Sequence, residues 1–315
     1  MSSPPRLAIV TGGNNGFGYA TSQILLVKKG FEVVILCRNV TAGKEAVANM
    51  GLTAEQAARA VVMRIDLADL TTVVSFRDEF LKKYRERKLD YLILNAGLVK
   101  MVKEVTPQGL EETVGVNHFG GVALFNLLLK PVLIPSKTRV VAVGSLVHTN
   151  STVSAQTFRN VDLTGIADTS FSVTARYADS KLLNHLWGFA VQKRYADKYG
   201  VTCNSVHPGS GLFTNLGRRD ASTGFKMILT PMLGLLAPLL WCCGFFQTWH
   251  DGGVAEIAAA EAESGGVYYY RHYASTASAT ATNDEVQTWA WDETKRILAD
   301  IASKHNLPSE ISGSD

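Results

Sequence analysis

Short apolar runs alternate with amphipathic stretches from the N-terminus to about Gly209. The runs are almost continuously hydrophobic, and they read LAIV, FEVVILC, VVMRI, YLIL, RVVAV and VTCNSV, with VYYY at 267–270 as a candidate edge strand. Strands that are apolar on both faces are typical of a parallel sheet covered by helices on each side. The pattern therefore predicts an α/β fold with a doubly wound, Rossmann-type parallel sheet.

Two segments interrupt this alternation. The first is the polar stretch 148–175, and the second is the uncharged run MILTPMLGLLAPLLWCCGFF at 227–246. Neither segment is large enough to build its own core, so we expect residues 1–315 to form a single domain. Apolar residues at helical spacing in DEVQTWAWDETKRILADIASKH predict a helix near the C-terminus that packs against the rest of the domain.

The uncharged run is long enough for a membrane span to be considered. Pro231, Gly234 and Pro238 would interrupt a simple helix, and the chain must return afterwards to pack against the same sheet. We therefore reject a full span and expect residues 224–250 to form an apolar lid over a substrate entrance, with an outer face that touches a membrane surface. The alternative is a segment buried against the protein itself or against the second subunit of a homodimer.

Composition narrows the classes of function. The chain is 46% hydrophobic and 19% charged with a formal net charge of +3, which is typical of a globular protein and gives no electrostatic case for nucleic acid. The N-terminus shows no secretory signal pattern, which favours a cytoplasmic protein with peripheral contact to an intracellular membrane. The four cysteines, at 37, 203, 242 and 243, have no metal-ligand spacing and predict neither a metal site nor a disulfide framework.

A glycine-rich turn, TGGNNGFG at 11–18, joins the first strand to a helix predicted to begin near Phe17. Glycines allow a tight turn and a close approach of a ligand, and the N-terminus of a helix attracts a pyrophosphate. The alternative is a plain glycine turn, but its place between the first strand and the first helix favours a dinucleotide. The residues expected at the phosphates are Gly12, Asn14, Asn15, Gly16, Phe17 and Gly18.

The second strand ends in ILCRN. An acidic residue at this point of a dinucleotide fold binds the ribose 2′-hydroxyl, whereas a basic residue accommodates a 2′-phosphate. Here Cys37 takes the acidic position and Arg38 follows it, which favours NADP(H) over NAD(H) as the cofactor. The alternative is a solvated arginine at the end of a strand.

Tyr177 and Lys181, in YADSK, lie four residues apart and thus on one face of a helix. An ammonium beside a phenol stabilises the phenolate and lowers the pKa of the tyrosine toward the range useful for proton transfer. Tyr177 is therefore a candidate general acid/base, the alternative being an ordinary surface pair.

Together these motifs resemble the short-chain dehydrogenase/reductase family. TGGNNGFG, DLADL, LNAG, VNHFG, VAVGSLVH, YADSK and HPG occur in the family's order, and CRN, GVNHFGG and SKLLN resemble its retinol dehydrogenase and WW-domain oxidoreductase branch. The resemblance implies that Tyr177 gives or takes the proton, that Lys181 tunes its pKa and binds the ribose, and that Ser145 orients the substrate oxygen. It implies further that Asn117 holds a water for proton relay through Lys181.

The resemblance also implies the other contacts of the cofactor. They are Asp66 and Leu67 at the adenine, Asn95, Ala96 and Gly97 along the adenosine side, and Pro208 and Gly209 at the nicotinamide. The chain departs from the family pattern at three places. Leu94 stands where many relatives have Asn, Gly144 replaces the first serine of a common Ser-Ser pair, and the spacing in HPGSGLFT leaves Thr214 as a weak match to a carboxamide contact.

The implied function is an NADP(H)-dependent oxidoreductase that interconverts a carbonyl and an alcohol on an apolar substrate, such as a retinoid, a steroid or a lipid aldehyde. One alternative is a regulatory protein that binds NADP(H) without turnover. A pure binder needs no proton relay, so the full set of four catalytic matches argues against it. The other alternative is a light-dependent reductase of the protochlorophyllide type, to which the finer motifs are less similar.

Overall fold

The computed structural model describes residues 4–160, 162–165, 171–210 and 247–313. Of the predicted lid, 224–250, only residues 247–250 are among them, and Thr214, Cys242 and Cys243 lie outside them. The expectations for the apolar run therefore fall on residues outside the described part of the chain.

Eight strands form one sheet in the order β3-β2-β1-β4-β5-β6-β7-β8. All neighbouring strands are parallel except β7 and β8. This order confirms the doubly wound parallel sheet. The strands are β1 (Leu7–Thr11), β2 (Glu32–Cys37), β3 (Ala60–Arg64), β4 (Tyr91–Leu94), β5 (Arg139–Val143), β6 (Thr202–His207), β7 (Tyr268–Tyr270) and β8 (Tyr273–Ser275).

The run VYYY forms β7 but is not an edge strand, because β8 pairs antiparallel to its outer side. The two strands are joined by a tight turn in which Arg271 has a φ of 59°. Residues with a positive φ are usually Gly or Asn, and these residues mark a turn in a sequence. At this turn the residue with positive φ is an arginine. The sequence therefore carried no turn signal for this hairpin.

Helices cover both faces of the sheet. On one face α1 (Gly16–Val27) and α7 (Trp249–Glu261) pack together, and a Cβ on Gly253 would lie only 2.8 Å from the Thr21 nitrogen, so glycine permits this close approach. In β1, Ala8 faces this core, whereas Ile9 faces the other one. The remaining helices are α2 (Val40–Ala48), α3 (Ala54–Ala58), α4 (Leu70–Tyr84), α5 (Glu112–Ser136), α6 (Val173–Tyr199), α8 (Ala279–Thr282) and α9 (Asp284–His305).

The long helix α5 contains two π-helical turns, Gly115–Phe119 and Leu129–Leu133. The second includes Pro131, whose missing N–H breaks the regular hydrogen-bond ladder. Among the described residues α5 has the length and hydropathy of a membrane span, at 25 residues and 1.5, but 72% of its apolar window is buried inside the protein. A core helix of a globular domain has the same properties.

The C-terminal helix α9 confirms the packing helix predicted from the sequence. Asn283 caps its first turn by accepting a hydrogen bond from the Val286 nitrogen at 3.0 Å. The chain then returns to α5, where the fully buried Ile311 accepts a hydrogen bond at its carbonyl from Asn126 Nδ2 at 3.0 Å. The end of the described chain is thus part of the core.

Candidate active site

A cavity of about 550 Å³ opens at the carboxyl ends of β1, β2, β4, β5 and β6. The neighbouring strands β1 and β4 are where the winding of the sheet reverses, which is the usual ligand site of such folds. Gly18 and Asn117 are absent from the cavity wall. The other predicted site residues line it: Gly12, Asn14, Asn15, Gly16, Phe17, Arg38, Asp66, Leu67, Asn95, Ala96, Gly97, Ser145, Tyr177, Lys181, Pro208 and Gly209.

The glycine-rich turn forms one end of this cavity. Gly12 and Gly16 have φ values of 65° and 57°, a backbone conformation that residues other than glycine rarely adopt. Helix α1 begins at Gly16, and Asn15 at its N-cap makes no side-chain hydrogen bond to the first turn. The first N–H groups of α1 therefore have no side-chain acceptor and are available to an anion in the cavity.

Gly18 lies behind the wall and acts through packing. A Cβ at this position would collide with the side chain of Asn95 and would lie 2.6 Å from the Gly12 carbonyl oxygen. Asn95 in turn donates to the Thr11 carbonyl at 2.8 Å, and Thr11 Oγ1 accepts from the Ala96 nitrogen at 2.9 Å. These contacts fix the turn against the ends of β1 and β4.

Cys37 and Arg38, at the end of β2, lie at the same end of the cavity as the glycine turn, where the Gly12 nitrogen donates to the Leu36 carbonyl at 2.8 Å. The Cys37 thiol donates to the Asn39 carbonyl at 3.2 Å, and burial raises its pKa, so the thiol is uncharged. Arg38 is exposed and forms no ion pair with the described residues. Next to them, Asp66 Oδ1 accepts from the Ala68 nitrogen at 3.1 Å and shapes the turn that places Leu67.

Tyr177 and Lys181 project from α6 into the opposite end of the cavity. The Ser145 side chain lies beside the Tyr177 hydroxyl in the cavity wall. Lys181 Nζ donates to the Val143 carbonyl at 3.1 Å and lies 5.7 Å from the centre of the Tyr177 ring. The three side chains expected to do the chemistry are therefore brought together.

The pKa of Tyr177 moves in the direction opposite to the sequence-based expectation. Burial raises it to about 12, although the neighbouring Ser145 side chain lowers it. Burial also lowers the pKa of Lys181 to about 8, against a smaller raising effect of the Glu256 charge. Loss of water around the phenolate thus outweighs the effect of Ser145, and Tyr177 is protonated at neutral pH.

Asn117 lies one layer behind the cavity, in the first π turn of α5. Its Oδ1 accepts from the Leu98 nitrogen at 2.7 Å, and its Nδ2 donates to the Leu98 carbonyl at 2.9 Å and to Ser180 Oγ at 3.0 Å. A Cβ on Gly97 would lie 3.2 Å from both Asn117 Oδ1 and Lys181 Nζ. Gly97 thus leaves the space between Asn117 and Lys181 open.

Gly144 departs from the family pattern because of His185. The His185 imidazole packs directly against the Gly144 backbone, and any side chain at 144 would overlap its ring. His185 is fully buried, and neither of its ring nitrogens has a side-chain partner among the described residues. The sequence signal was the missing serine itself, which pointed to a large neighbour.

Two buried acidic residues near the site were missed from the sequence. Asp179 holds the segment beyond Ser145 by accepting from Ser151 Oγ at 2.6 Å and from the Thr152 nitrogen at 2.8 Å. Glu256, on α7, is fully buried and accepts from Thr21 Oγ1 at 2.7 Å, and burial raises its pKa to about 8. Glu256 is 235 residues from Thr21, so no local spacing could reveal the pair.

A doubly wound sheet, a glycine turn at the start of α1 and a Tyr–Lys–Ser cluster in the same cavity define a dinucleotide-dependent oxidoreductase. The model of the family described as short chain dehydrogenase matches residues 6–158. The chain is therefore similar to the short-chain dehydrogenase/reductase family, whose cofactors are nicotinamide dinucleotides, and in particular to its retinol dehydrogenase-like branch.

Known relatives agree with this assignment. The chain is 28% identical over 298 residues to a WW domain-containing oxidoreductase of Gallus gallus, covering 93% of this chain and 68% of the relative. It is 33% identical over 207 residues to retinol dehydrogenase 11 of Mus musculus, covering 66% of this chain and 62% of the relative. A solved structure, the Pseudomonas aeruginosa RhlG/NADP active-site complex, shares the fold with a TM-score of 0.62 at 19% identity, covering 85% of this chain and 95% of that one.

Proposed function

We propose that the protein is an NADP(H)-dependent oxidoreductase that interconverts a carbonyl and an alcohol on an apolar substrate. The observation that carries this proposal is that Ser145 lies beside the Tyr177 hydroxyl at one end of a cavity whose other end is the glycine turn. A protonated phenol and a hydroxyl directed at one point are suited to bind and protonate a carbonyl oxygen.

The residues present fit a nicotinamide dinucleotide. The turn from Gly12 to Phe17, with positive φ values and an N-cap free of side-chain acceptors, suits the pyrophosphate. Asp66 and Leu67 would hold the adenine, Lys181 the nicotinamide ribose, and the Pro208–Gly209 backbone the nicotinamide. When bound, the cofactor supplies or accepts the hydride.

In the reductive direction Tyr177 would donate its proton to the substrate oxygen, since its pKa of about 12 keeps it protonated at neutral pH. Ser145 would orient that oxygen through its hydroxyl. Lys181, with a pKa of about 8, is mostly charged at pH 7 and would stabilise the phenolate that Tyr177 leaves behind. Asn117 would hold the water that returns a proton through Lys181.

The preference for NADP(H) rests on Arg38. Its guanidinium is exposed at the cavity edge beside an uncharged Cys37, so a 2′-phosphate would meet a free cation and no carboxylate at the end of β2. NAD(H) would gain nothing from the arginine, because the ribose 2′-hydroxyl carries no charge.

The substrate class is proposed from the cavity wall and from the relatives. Leu98, Val116 and Val147 make its lining partly apolar, and several relatives carry the name retinol dehydrogenase. Retinoids, steroids and lipid aldehydes suit such a wall.

We also propose that the protein is cytoplasmic and contacts an intracellular membrane through residues 224–250. Flotation with liposomes tests this, comparing the wild type with a variant in which Leu235, Leu239 and Trp241 are changed to serine.

A substrate panel tests the proposed function. Retinoids, steroids and medium-chain aldehydes are assayed with NADPH and NADH side by side, and turnover of at least one class with NADPH preferred is expected. Tight NADPH binding without turnover of any alcohol or carbonyl would instead support a regulatory binder. A requirement for a bound pigment and light would support the protochlorophyllide type.

A further inference from the structure

The histidine three residues after Ser145 joins two distant parts of the chain. His148 is 3% exposed, its Nδ1 lies 2.7 Å from the Ser145 carbonyl oxygen, and its Nε2 lies 3.2 Å from the Ser278 nitrogen. A carbonyl can only accept a hydrogen bond and a backbone N–H can only donate one. Both contacts are made only by a neutral imidazole with its proton on Nδ1 and its lone pair on Nε2.

The ring of His148 is held from the sides as well. Its centre lies 4.5 Å from the centre of the His185 ring and 5.7 Å from that of Tyr268, both in edge-on contact. His185 is itself wedged against Gly144, the residue before Ser145. Such packing restrains the His148 ring, so its two hydrogen bonds act as a rigid link.

We propose that His148 is a positioning residue that fixes Ser145 by binding its carbonyl and anchoring it to the Ser278 amide at the N-cap of α8. The inference rests on the proposed function, in which the Ser145 hydroxyl orients the substrate oxygen. Ser145 has extended backbone angles, with φ −162° and ψ 155°, and its side chain, which lies beside Tyr177, accepts a backbone hydrogen bond only from the Val147 nitrogen, at 3.4 Å. The Ser145 carbonyl accepts from the His148 backbone nitrogen at 3.2 Å and from the His148 ring at 2.7 Å, and the ring contact is the shorter one and the one that continues to Ser278.

Protonation of His148 would break the link, since Nε2 would then carry a proton toward the Ser278 N–H. The titratable groups that face His148 are His185 on α6, His207 on β6 and Tyr268 on β7, and Lys181 acts on the two neighbouring histidines. These groups offer the imidazolium no carboxylate, and burial lowers the pKa of His148 below its usual value. The link is therefore intact at neutral pH and is lost in acid.

A double-mutant cycle tests whether His148 acts through Ser145. We expect His148→Leu to lower kcat/KM by about 10- to 100-fold, because small displacements of a catalytic group have effects of this size, while the Kd for NADPH stays unchanged. In the Ser145→Ala background the same change should cost less than about threefold, because the group that it positions is already gone. If the loss of kcat/KM in the double variant equals the product of the two single losses, the proposal is overturned.

Ser278 provides a matched pair of variants that leave the histidine in place. Its φ of −59° suits proline, so Ser278→Pro removes the N–H donor, whereas Ser278→Ala keeps it, and both lose the side-chain cap on Ala281. Only the proline variant should raise the pKa of His148 and shift the acid limb of the pH profile of kcat/KM upward. Equal profiles for the two variants would contradict the link.

Nitrogen-15 NMR of the labelled imidazoles in the whole protein separates this inference from the proposed function. The Nδ1–H tautomer is expected for His148, assigned by its absence from His148→Leu. An Nε2–H tautomer overturns the proposal at any level of activity. If the wild type turns over no substrate, the proposed function fails, and the tautomer together with the pKa change in Ser278→Pro decides whether His148 holds Ser145.

Discussion

The two ends of the cavity are built on different principles. At the glycine turn, the polar groups are tied to the backbone, as in the hydrogen bond from Asn95 to Thr11, and the shape comes from positive φ angles. At the other end burial displaces the pKa values of Tyr177 and Lys181 to about 12 and about 8. The first end is therefore a rigid binding surface, and the second end sets the protonation states of Tyr177 and Lys181. Changes at the first should alter affinity, and changes at the second should alter rate and pH dependence.

The largest effect is expected at the reactive end. Tyr177→Phe removes the transferable proton but keeps the ring, so turnover should fall by more than about a hundredfold while the Kd for NADPH stays within a factor of two or so. Steady-state kinetics and fluorescence titration measure the two quantities. Near-normal turnover would mean that Tyr177 is not the acid/base, and a matching loss of affinity would erase the contrast between the two ends.

At the binding end, Arg38→Asp should weaken NADPH selectively. A 2′-phosphate would lose a charge-assisted hydrogen bond and face a like charge, which corresponds to about a tenfold to hundredfold rise in Kd. The Kd for NADH and the kcat at saturating cofactor should change little. Equal losses for both cofactors would assign Arg38 a structural role.

Gly18→Ala tests whether the rigid surface depends on close packing of α1. A methyl group there meets the Gly12 carbonyl oxygen at 2.6 Å, which is backbone and cannot move aside. We expect a loss of about 1–3 kcal/mol in the free energy of unfolding and weaker binding of both cofactors. Gly121→Ala in α5 is the matched control, since its nearest atom is 3.9 Å away. A stability of Gly18→Ala equal to that of the control would contradict this reading.

The smallest effect concerns stability and pH. Glu256 has a folded-state pKa of about 8, above its usual value of 4.5, so the folded state keeps a proton that the unfolded chain gives up. Stability should therefore fall as pH rises from about 4.5 to 8, and Glu256→Gln should cancel this fall. The Tm of the variant should exceed that of the wild type by a growing margin toward pH 8. Glu261→Gln, on the same helix but exposed and paired with Lys29, should show no such trend.

Local features of the fold and site could be predicted from the sequence. The buried strands, the glycine turn and the Tyr177–Lys181 spacing are each encoded within a few consecutive residues. Non-local contacts could not be predicted. Ser278 lies 130 residues from His148, and nothing in the sequence near either residue specifies the other. The predicted direction of the Tyr177 pKa shift was wrong for a related reason. A sequence shows the neighbouring lysine but does not show how much water the fold removes from around the phenol.

The two π turns of α5 have a consequence for insertions and deletions. Each π turn contains one residue more than the regular helix needs, and one residue corresponds to a rotation of about 100° around the helix axis. Removing one residue from Gly115–Phe119 would restore a regular helix and keep the flanking turns in phase, whereas removing one residue from Gly120–Leu128 would rotate everything on one side of the deletion. The π turns are therefore the places in α5 where the loss of a single residue leaves the helix in phase with the core that it packs against.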